Sequence, residues 1–397
     1  MPIYPTYKLG EVAEILDSFR KPINSTERAK RIQGKSENEL YPYYGATGQV
    51  GLIDKYLIDG EYVLVGEDGA PFLEPFKNKS YIIKGKAWVN NHAHIILGKK
   101  GVSCNQYLNY YLNSFDYKDY VNGTTRLKLT QGNLVEIPIP LPPLPTQHQI
   151  VSRIESLFAE LDKAEEHLRT AQQQLKIYRQ AVLNHWLNNE DGKWEMVPIK
   201  EIISVISNGS TPKADKMFSK GEIQFLKVYN LNFDGSINLS KEPVFIERDT
   251  HETLLKRSQT KQGDVLINIV GPPLGKVSII PEGEKEYNIN QAIVMFRPNE
   301  FVTSKFLAYY LMSPQVIAWL TSTSKATAGQ YNVKVSTCRE IMFPKISISD
   351  QQRIVKEIES RLSQAEAAEA RIAEALQKTE ALQQSILKKA FSGEFDL

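Results

Sequence analysis

At 397 residues the chain is too long for one ordinary domain and long enough for two hydrophobic cores. Its 48 basic and 46 acidic side chains leave a net charge of +2, which excludes the globally basic surface of a protein that coats nucleic acid unaided. Two cysteines, Cys104 and Cys338, lie far apart without metal-ligand spacing; the start MPIYPTYKLGEVAEIL is polar and broken by prolines, and no apolar run is long enough to span a bilayer. The expectation is a reduced cytoplasmic protein without a membrane segment.

In chain order, the first segment reads as mixed α/β. Short apolar runs predict strands at Glu61–Val65, Ala93–Leu97 and Val135–Ile139, with a helix over Asn105–Leu112 (NQYLNYYL). Three prolines, Pro142, Pro143 and Pro145, then stop helix formation, and Thr146 is the expected N-cap of a helix over His148–Leu187. Along it Ile150, Ile154, Leu157, Leu161, Ala164, Leu168, Ala171, Leu175, Tyr178 and Val182 are spaced 4, 3, 4, 3, the seam of a coiled coil. Forty residues make a rod of roughly 60 Å.

The order then recurs. Strands are expected at Asp264–Val270, Gln291–Phe296 and Arg339–Phe343, a helix over Lys305–Leu311 (KFLAYYL), and a long helix capped by Ser349 or Asp350. Its seam is Ile354, Ile358, Arg361, Ala365, Ala368, Ile372, Ala375, Thr379, Leu382 and Ile386, with Arg361 and Thr379 out of character. Gln147–Leu187 aligned on Gln351–Phe391 without a gap gives twelve identities in 41 positions, 204 residues apart. Chance alone would give about three. One structural unit is therefore used twice, and the alanines in both seams suit close antiparallel pairing of the two helices within the chain. The fold class expected is α+β: two similar mixed α/β domains, two long antiparallel coiled-coil helices, and an internal pseudo-two-fold repeat.

The loops differ between the copies while the scaffold recurs. In the first they are YPYYGATG (Tyr41–Gly48), GEDGAPF (Gly66–Phe72) and NGTTRLKL (Asn122–Leu129), with a basic stretch that includes Arg20 and Lys21. In the second they are NGSTPKADK (Asn208–Lys216), KVYNLNFDG (Lys227–Gly235), GPPLGK (Gly271–Lys276) and TSTSKATAGQYN (Thr321–Asn332). Polar, aromatic and basic side chains of these kinds bond phosphates and base edges. The candidate DNA contacts are Arg20, Lys21, Tyr43, Tyr44, Thr47, Arg126 and Lys128 in the first segment. In the second they are Ser210, Thr211, Lys213, Lys227, Tyr229, Asn230, Lys325, Gln330, Tyr331 and Asn332.

The chain resembles the specificity subunit of type I restriction–modification enzymes. The carrying residues are YPYYGATGQVG, GEYVLVGEDGAP and NGTTRLKLTQGNLVEIPIPLPPLPTQHQIVSRIESLFAELD, then SNGSTPKADK, GDVLIN, NINQAIVMFRP, SDQQRIVKEIES and the terminal AFSGE. The likeness covers essentially the whole chain, and its most specific part is IPIPLPPL, QxQI and a heptad helix after a globular segment. It implies target-recognition domains at 1–145 and 190–348, alternating with helical spacers at 146–189 and 349–397. It also implies a non-catalytic protein that reads a bipartite, asymmetric site in double-stranded DNA. Two methyltransferase subunits would dock on the paired helices, with restriction–translocase subunits completing the enzyme. The chain itself would bind no cofactor: S-adenosylmethionine would belong to the methyltransferase, ATP and Mg to the motor. The second lead-in, IMFPKISISD, lacks the proline run and its seam is richer in Ala, so the two docking sites are expected to differ.

Catalytic signatures are missing. The Pro-Pro pairs at Pro142-Pro143 and Pro272-Pro273 lack the polar and aromatic neighbours of an adenine methyltransferase loop, and Gly271–Lys276 is one residue short of a phosphate-binding loop and reads as a turn. His92 and His94 have no third metal ligand nearby in sequence. A single-chain methyltransferase or nuclease with diverged motifs, and a coiled-coil scaffold binding only proteins, stand as rival readings.

Overall fold

The computed structural model describes residues 4–203, 205–283, 285–327 and 329–395, with the side chains of all of these except 325–327. The chain forms two compact units. One runs to Thr170 and takes up Ile372 onward; the other holds Ala171–Arg371.

The first unit begins with β1 (Thr6–Lys8), the single turn α1 (Leu9–Val12), β2 (Ala13–Ile15) and α2 (Ser25–Ile32). There follow β3 (Tyr41–Gly45), β4 (Gly48–Ile53), β5 (Ile58–Gly66), β6 (Ser80–Val89), β7 (Ala93–Gly98), α3 (Asn105–Ser114), α4 (Gln131–Val135), β8 (Pro138–Pro140) and α5 (Leu144–Leu187). Six strands make one sheet in the order β2-β7-β5-β6-β3-β4. Its centre, Val63–Val65 on β5 and Ile95–Ile96 on β7, is buried on both faces, hence the unbroken apolar runs. Tyr107, Leu108 and Leu112 of α3 join Val63, Val65 and Ile96 in the core beneath it. β1 and β8 pair antiparallel, Thr6 opposite Pro140, and clasp the entry of the unit to the segment that leads into α5.

Two expectations change here. YPYYGATG is no loop but the hairpin β3–β4, with a register shift between Tyr43 and Tyr44 of the kind a β-bulge makes. Val135–Ile139 is not one strand. Thr130 caps α4, accepting from Asn133 N at 3.3 Å, and pairing resumes only at Pro138. β6 was hidden from the sequence because Lys84-Gly85-Lys86 interrupts its apolar pattern.

The second unit contains β9 (Met196–Pro198), β10 (Val205–Asn208), β11 (Ile223–Leu226), β12 (Phe245–Ile246), α6 (Arg248–Glu252), β13 (Val265–Asn268), β14 (Val270–Gly271), β15 (Val277–Ile279), β16 (Tyr287–Ile289) and β17 (Ile293–Arg297). It continues with α7 (Ser304–Leu311), α8 (Pro314–Thr323), β18 (Lys325–Thr327), β19 (Gln330–Asn332), α9 (Val335–Arg339), β20 (Met342–Pro344) and α10 (Ile348–Ser392). Its main sheet is β10-β17-β13-β15, with smaller sheets β12-β11-β16, β14-β19-β18 and the clasp β20-β9. Arg339–Phe343 departs from expectation as its counterpart did: a short helix ends at Arg339 before the strand.

The duplicated glutamines explain themselves. Gln147, fully buried, accepts from Cys104 N (3.0 Å) and donates to the carbonyls of Val102 (2.8 Å) and Pro142 (2.9 Å). Gln351 accepts from Thr303 N (2.9 Å) and donates to Phe301 O (2.7 Å) and Ile346 O (3.2 Å). Each amide ties the start of a long helix to the start of the short helix above it, α3 or α7. Only a side chain with both donor and acceptor can do this.

Within each unit the two long helices run antiparallel. In the first, Ile150, Val151 and Ile154 near the start of α5 share a core with Leu387, Ala390 and Phe391 near the end of α10. In the second, Val182, Leu183 and Leu187 near the end of α5 meet Ile354, Val355, Ile358 and Leu362 near the start of α10. There Arg179 grips Glu369 with two bonds, at 3.2 and 3.0 Å. Burial alone would ease its deprotonation, but that bond and the charges of Glu369 and Glu366 hold the guanidinium above its usual range. Along the rest of the seam Leu157, Leu161, Leu168, Leu175, Ile372 and Ile386 are half-buried. Leu382 is a correction: it is 50% exposed. Leu362 takes the place expected of Arg361, so the packed stripe of α10 follows a path one residue off the strict heptad there. Thr379 is buried and satisfies its hydroxyl on Ala375 O at 3.0 Å. The helix starts also move. α5 begins before Pro145, a proline tolerated in the first turn, and Ser347 caps α10 by accepting from Asp350 N at 3.2 Å.

Candidate nucleic-acid interface

The loops leaving β5 and preceding α4 meet in the first unit. Asn122 and Lys128 exchange backbone bonds (2.9 and 2.8 Å) to close a hairpin, which Leu129 N hooks to Glu67 O at 2.7 Å. Beneath it lies a network of charges. Glu67 takes Arg20 and Lys128 (3.0 Å for the latter), and Arg20 also pairs with Asp17 at 2.9 Å. Fully buried His94 spans Asp17 Oδ2 (2.6 Å) and the Leu129 carbonyl (2.8 Å). Burial works to raise the Glu67 carboxyl, yet the bonds from Arg20 and Lys128 outweigh it and hold it below its ordinary value. Above this network Arg126 donates to Asp68 (2.9 Å), whose same oxygen meets His92 Nδ1 at 2.6 Å.

The second unit hooks a hairpin at the matching place. Val333 N bonds Ile269 O at 2.9 Å, and β19 pairs with β14, Asn332 opposite Val270. Ile269-Val270 thus stands where the first unit has Glu67-Asp68, and the ionic support is replaced by apolar and backbone contacts. Nearby, the exposed Phe233 ring lies 5.7 Å from Lys276 Nζ, a pair the sequence reading passed over.

The expected contact residues divide. Lys21, Thr47, Arg126, Lys128, Thr211, Lys213, Gln330 and Asn332 are exposed, and Tyr44, Ser210, Lys227, Tyr229 and Tyr331 are half-buried. Thr47 and Arg126 come together around one groove of about 450 Å³, with Gly69 and Lys77 in its walls. Three residues have interior roles instead. Tyr43 is 2% exposed, with its hydroxyl on Ile23 O at 3.2 Å and Arg28 over its ring. Asn230 is 2% exposed and spends its amide on Lys227 N, Asn238 O and Lys241 O. Arg20 is neutralised by Asp17 and Glu67. An aromatic or amide in a sequence motif does not reveal whether it faces solvent, and only the fold separates the two cases. The side chain of Lys325 and all of Ala328 lie outside the described residues. Among the described residues no three His, Cys, Asp or Glu side chains converge as a metal site, and no helix is long and apolar enough to cross a membrane.

A family model for the type I restriction modification DNA specificity domain matches residues 4–170 and again 191–378. A Haemophilus influenzae protein named as a type I restriction enzyme specificity subunit is 28% identical over 87% of this chain and 84% of its own length. The EcoBI specificity subunit of Escherichia coli is 30% identical over 67% of this chain and 60% of its own. Among solved structures, a chain from a type I restriction–modification system aligns with TM-score 0.69 at 16% identity, over 99% of this chain and 98% of that one. The HsdS subunit from Thermoanaerobacter tengcongensis aligns with TM-score 0.55 at 17% identity, over 100% of this chain and 98% of that one. At such identities these two report the shared fold.

Proposed function

Because the chain belongs to the type I restriction–modification DNA specificity family, we propose that it reads a bipartite, asymmetric site in double-stranded DNA, one half-site per unit, and carries no catalysis of its own. The observation behind this reading is the contrast between scaffold and loop. The clasps β1–β8 and β9–β20, the buried glutamines and the hooked hairpins recur, while the hairpin tips and their supports differ. A shared scaffold with unlike tips suits one task performed on two different targets. Each unit reads a few base pairs, and tethering makes the second engagement intramolecular, which multiplies modest discrimination.

The solvated faces of the paired helices offer the docking surface for two methyltransferase subunits. These bring S-adenosylmethionine and extract the target adenine from the stack. A motor–nuclease subunit brings ATP and Mg. The near-zero net charge fits such a division, since partner subunits then supply much of the phosphate grip. The test is to assay the purified chain with S-adenosylmethionine or Mg and then with its methyltransferase added. The reading expects no methylation or cleavage from the chain alone and sequence-specific adenine methylation from the pair. Methylation or cleavage by the chain alone, or methylation by the pair without sequence preference, would overturn it.

A further inference from the structure

Arg126 sits at the tip of the Asn122–Lys128 hairpin, and among the described residues its guanidinium is held at one end only. Nη2 donates to Asp68 Oδ1 at 2.9 Å, and His92 Nδ1 fixes that oxygen from the other side at 2.6 Å. Gly69, at φ +71°, a conformation that favours glycine, turns the chain beneath the group, and a Cβ there would lie in ordinary contact, 3.4 Å from Arg126 Nε. Gly69 N in turn bonds Leu127 O at 3.2 Å, so hairpin and support move together. Even so, 61% of the Arg126 side chain is exposed, beside the groove that also holds Thr47.

We propose that Arg126 reads a guanine in the half-site of the first unit and that Asp68 is the residue that positions it. The proposal rests on the reading of that unit as a DNA-binding module. An unpaired arginine on a surface loop would serve a phosphate equally well. Pairing with a carboxylate cancels the net charge, which weakens attraction to phosphate, and it anchors one corner of the fork. The N–H groups left over then seek two adjacent acceptors. In the major groove only guanine presents two, N7 and O6, whereas adenine offers one acceptor next to an amino donor. Lysine, a compact point charge, can reach the same two acceptors but without a preset fork, so it should discriminate less sharply. The second unit has Val270 where Asp68 stands, so this device belongs to one half-site, as expected when the two differ.

The experiment maps methylated adenines in cells without another type I system, expressing this chain with its methyltransferase. The wild type is compared with Arg126→Lys, Arg126→Ala and Asp68→Asn. The first half-site of the wild type is expected to contain an invariant guanine. Arg126→Ala should lower the preference for guanine at that position about tenfold or more, and Arg126→Lys by less, with the second half-site unchanged, which also reports that the protein is folded. Asp68→Asn should relax the same position although the arginine is intact. Arg126→Ala with wild-type discrimination, or Arg126→Ala that weakens binding to all sequences equally and lowers the salt slope by about one, would show that Arg126 does not read a base and overturn the assignment. Full discrimination in Asp68→Asn would overturn the positioning role. A wild type that methylates no bipartite site would overturn the underlying DNA-reading function, a separate outcome from a bipartite site that Arg126 does not affect.

Discussion

Replacing Gln147 by alanine should loosen the junction between α5 and α3. The side chain is fully buried and makes three hydrogen bonds, so truncation strands one backbone N–H, at Cys104, and two carbonyls, at Val102 and Pro142. Each polar group left without a partner out of water costs about 1–3 kcal/mol. The bonds at Cys104 and Val102 are only partly buried, which places the total at roughly 3–5 kcal/mol rather than the upper limit. Hydrogen exchange over Asn105–Ser114 reads the effect locally, without requiring the whole chain to unfold in one step. With 1.4 kcal/mol per factor of ten, exchange there should quicken by about a hundredfold to several thousandfold. Gln147→Glu should do no better, because a carboxylate keeps the acceptor but loses both donors. Gln351→Ala should act in the same way on Ser304–Leu311. Acceleration of less than about fivefold in either case, a cost below about 1 kcal/mol, would refute the reasoning that these amides tie the helix starts.

The seam correction has its own test. Leu362→Ala should cost about 2–4 kcal/mol by emptying a packed site, while the half-exposed Leu382 replaced by alanine should change stability by no more than about 0.5 kcal/mol; equal losses in chemical denaturation would return Leu382 to the seam. For acid stability, the Glu67 carboxyl lies below its ordinary value of 4.5 when folded. Its contribution is therefore fully present above about that pH and is lost as pH falls through the lower folded value. Glu67→Gln should flatten the acid limb of a stability profile between pH 5 and pH 2, and an unaltered limb would show that its bonds to Arg20 and Lys128 carry no stabilisation.

Legibility followed the physics of each signal. Heptad spacing exposed both long helices and the repeat, because a period sustained over ten steps survives local noise; α5 and α10 extend only a few residues beyond the periodic run. Exact seam membership was less visible. The choice between Arg361 and Leu362 depends on which partner side chains are opposite, and that is a tertiary fact. Strands β5 and β7 were readable from unbroken apolar runs. β3 was not, since its Tyr, Pro and Gly read equally well as a turn. The contact residues were hardest. Exposed Thr47 and Arg126 and interior Tyr43 and Asn230 belong to the same residue classes in similar motifs. The support of Arg126 by Asp68 and His92 joins residues 58 and 34 positions from it in sequence, beyond any local pattern.

The most direct measurement of the central claim is a methylation map after residues 1–145 are exchanged for the corresponding segment of another family member, with the methyltransferase unchanged. Two autonomous reading units on a common scaffold predict that one half-site takes on the donor's sequence and the other is retained base for base. Alteration of both half-sites, or of neither in a complex that still methylates, would contradict it.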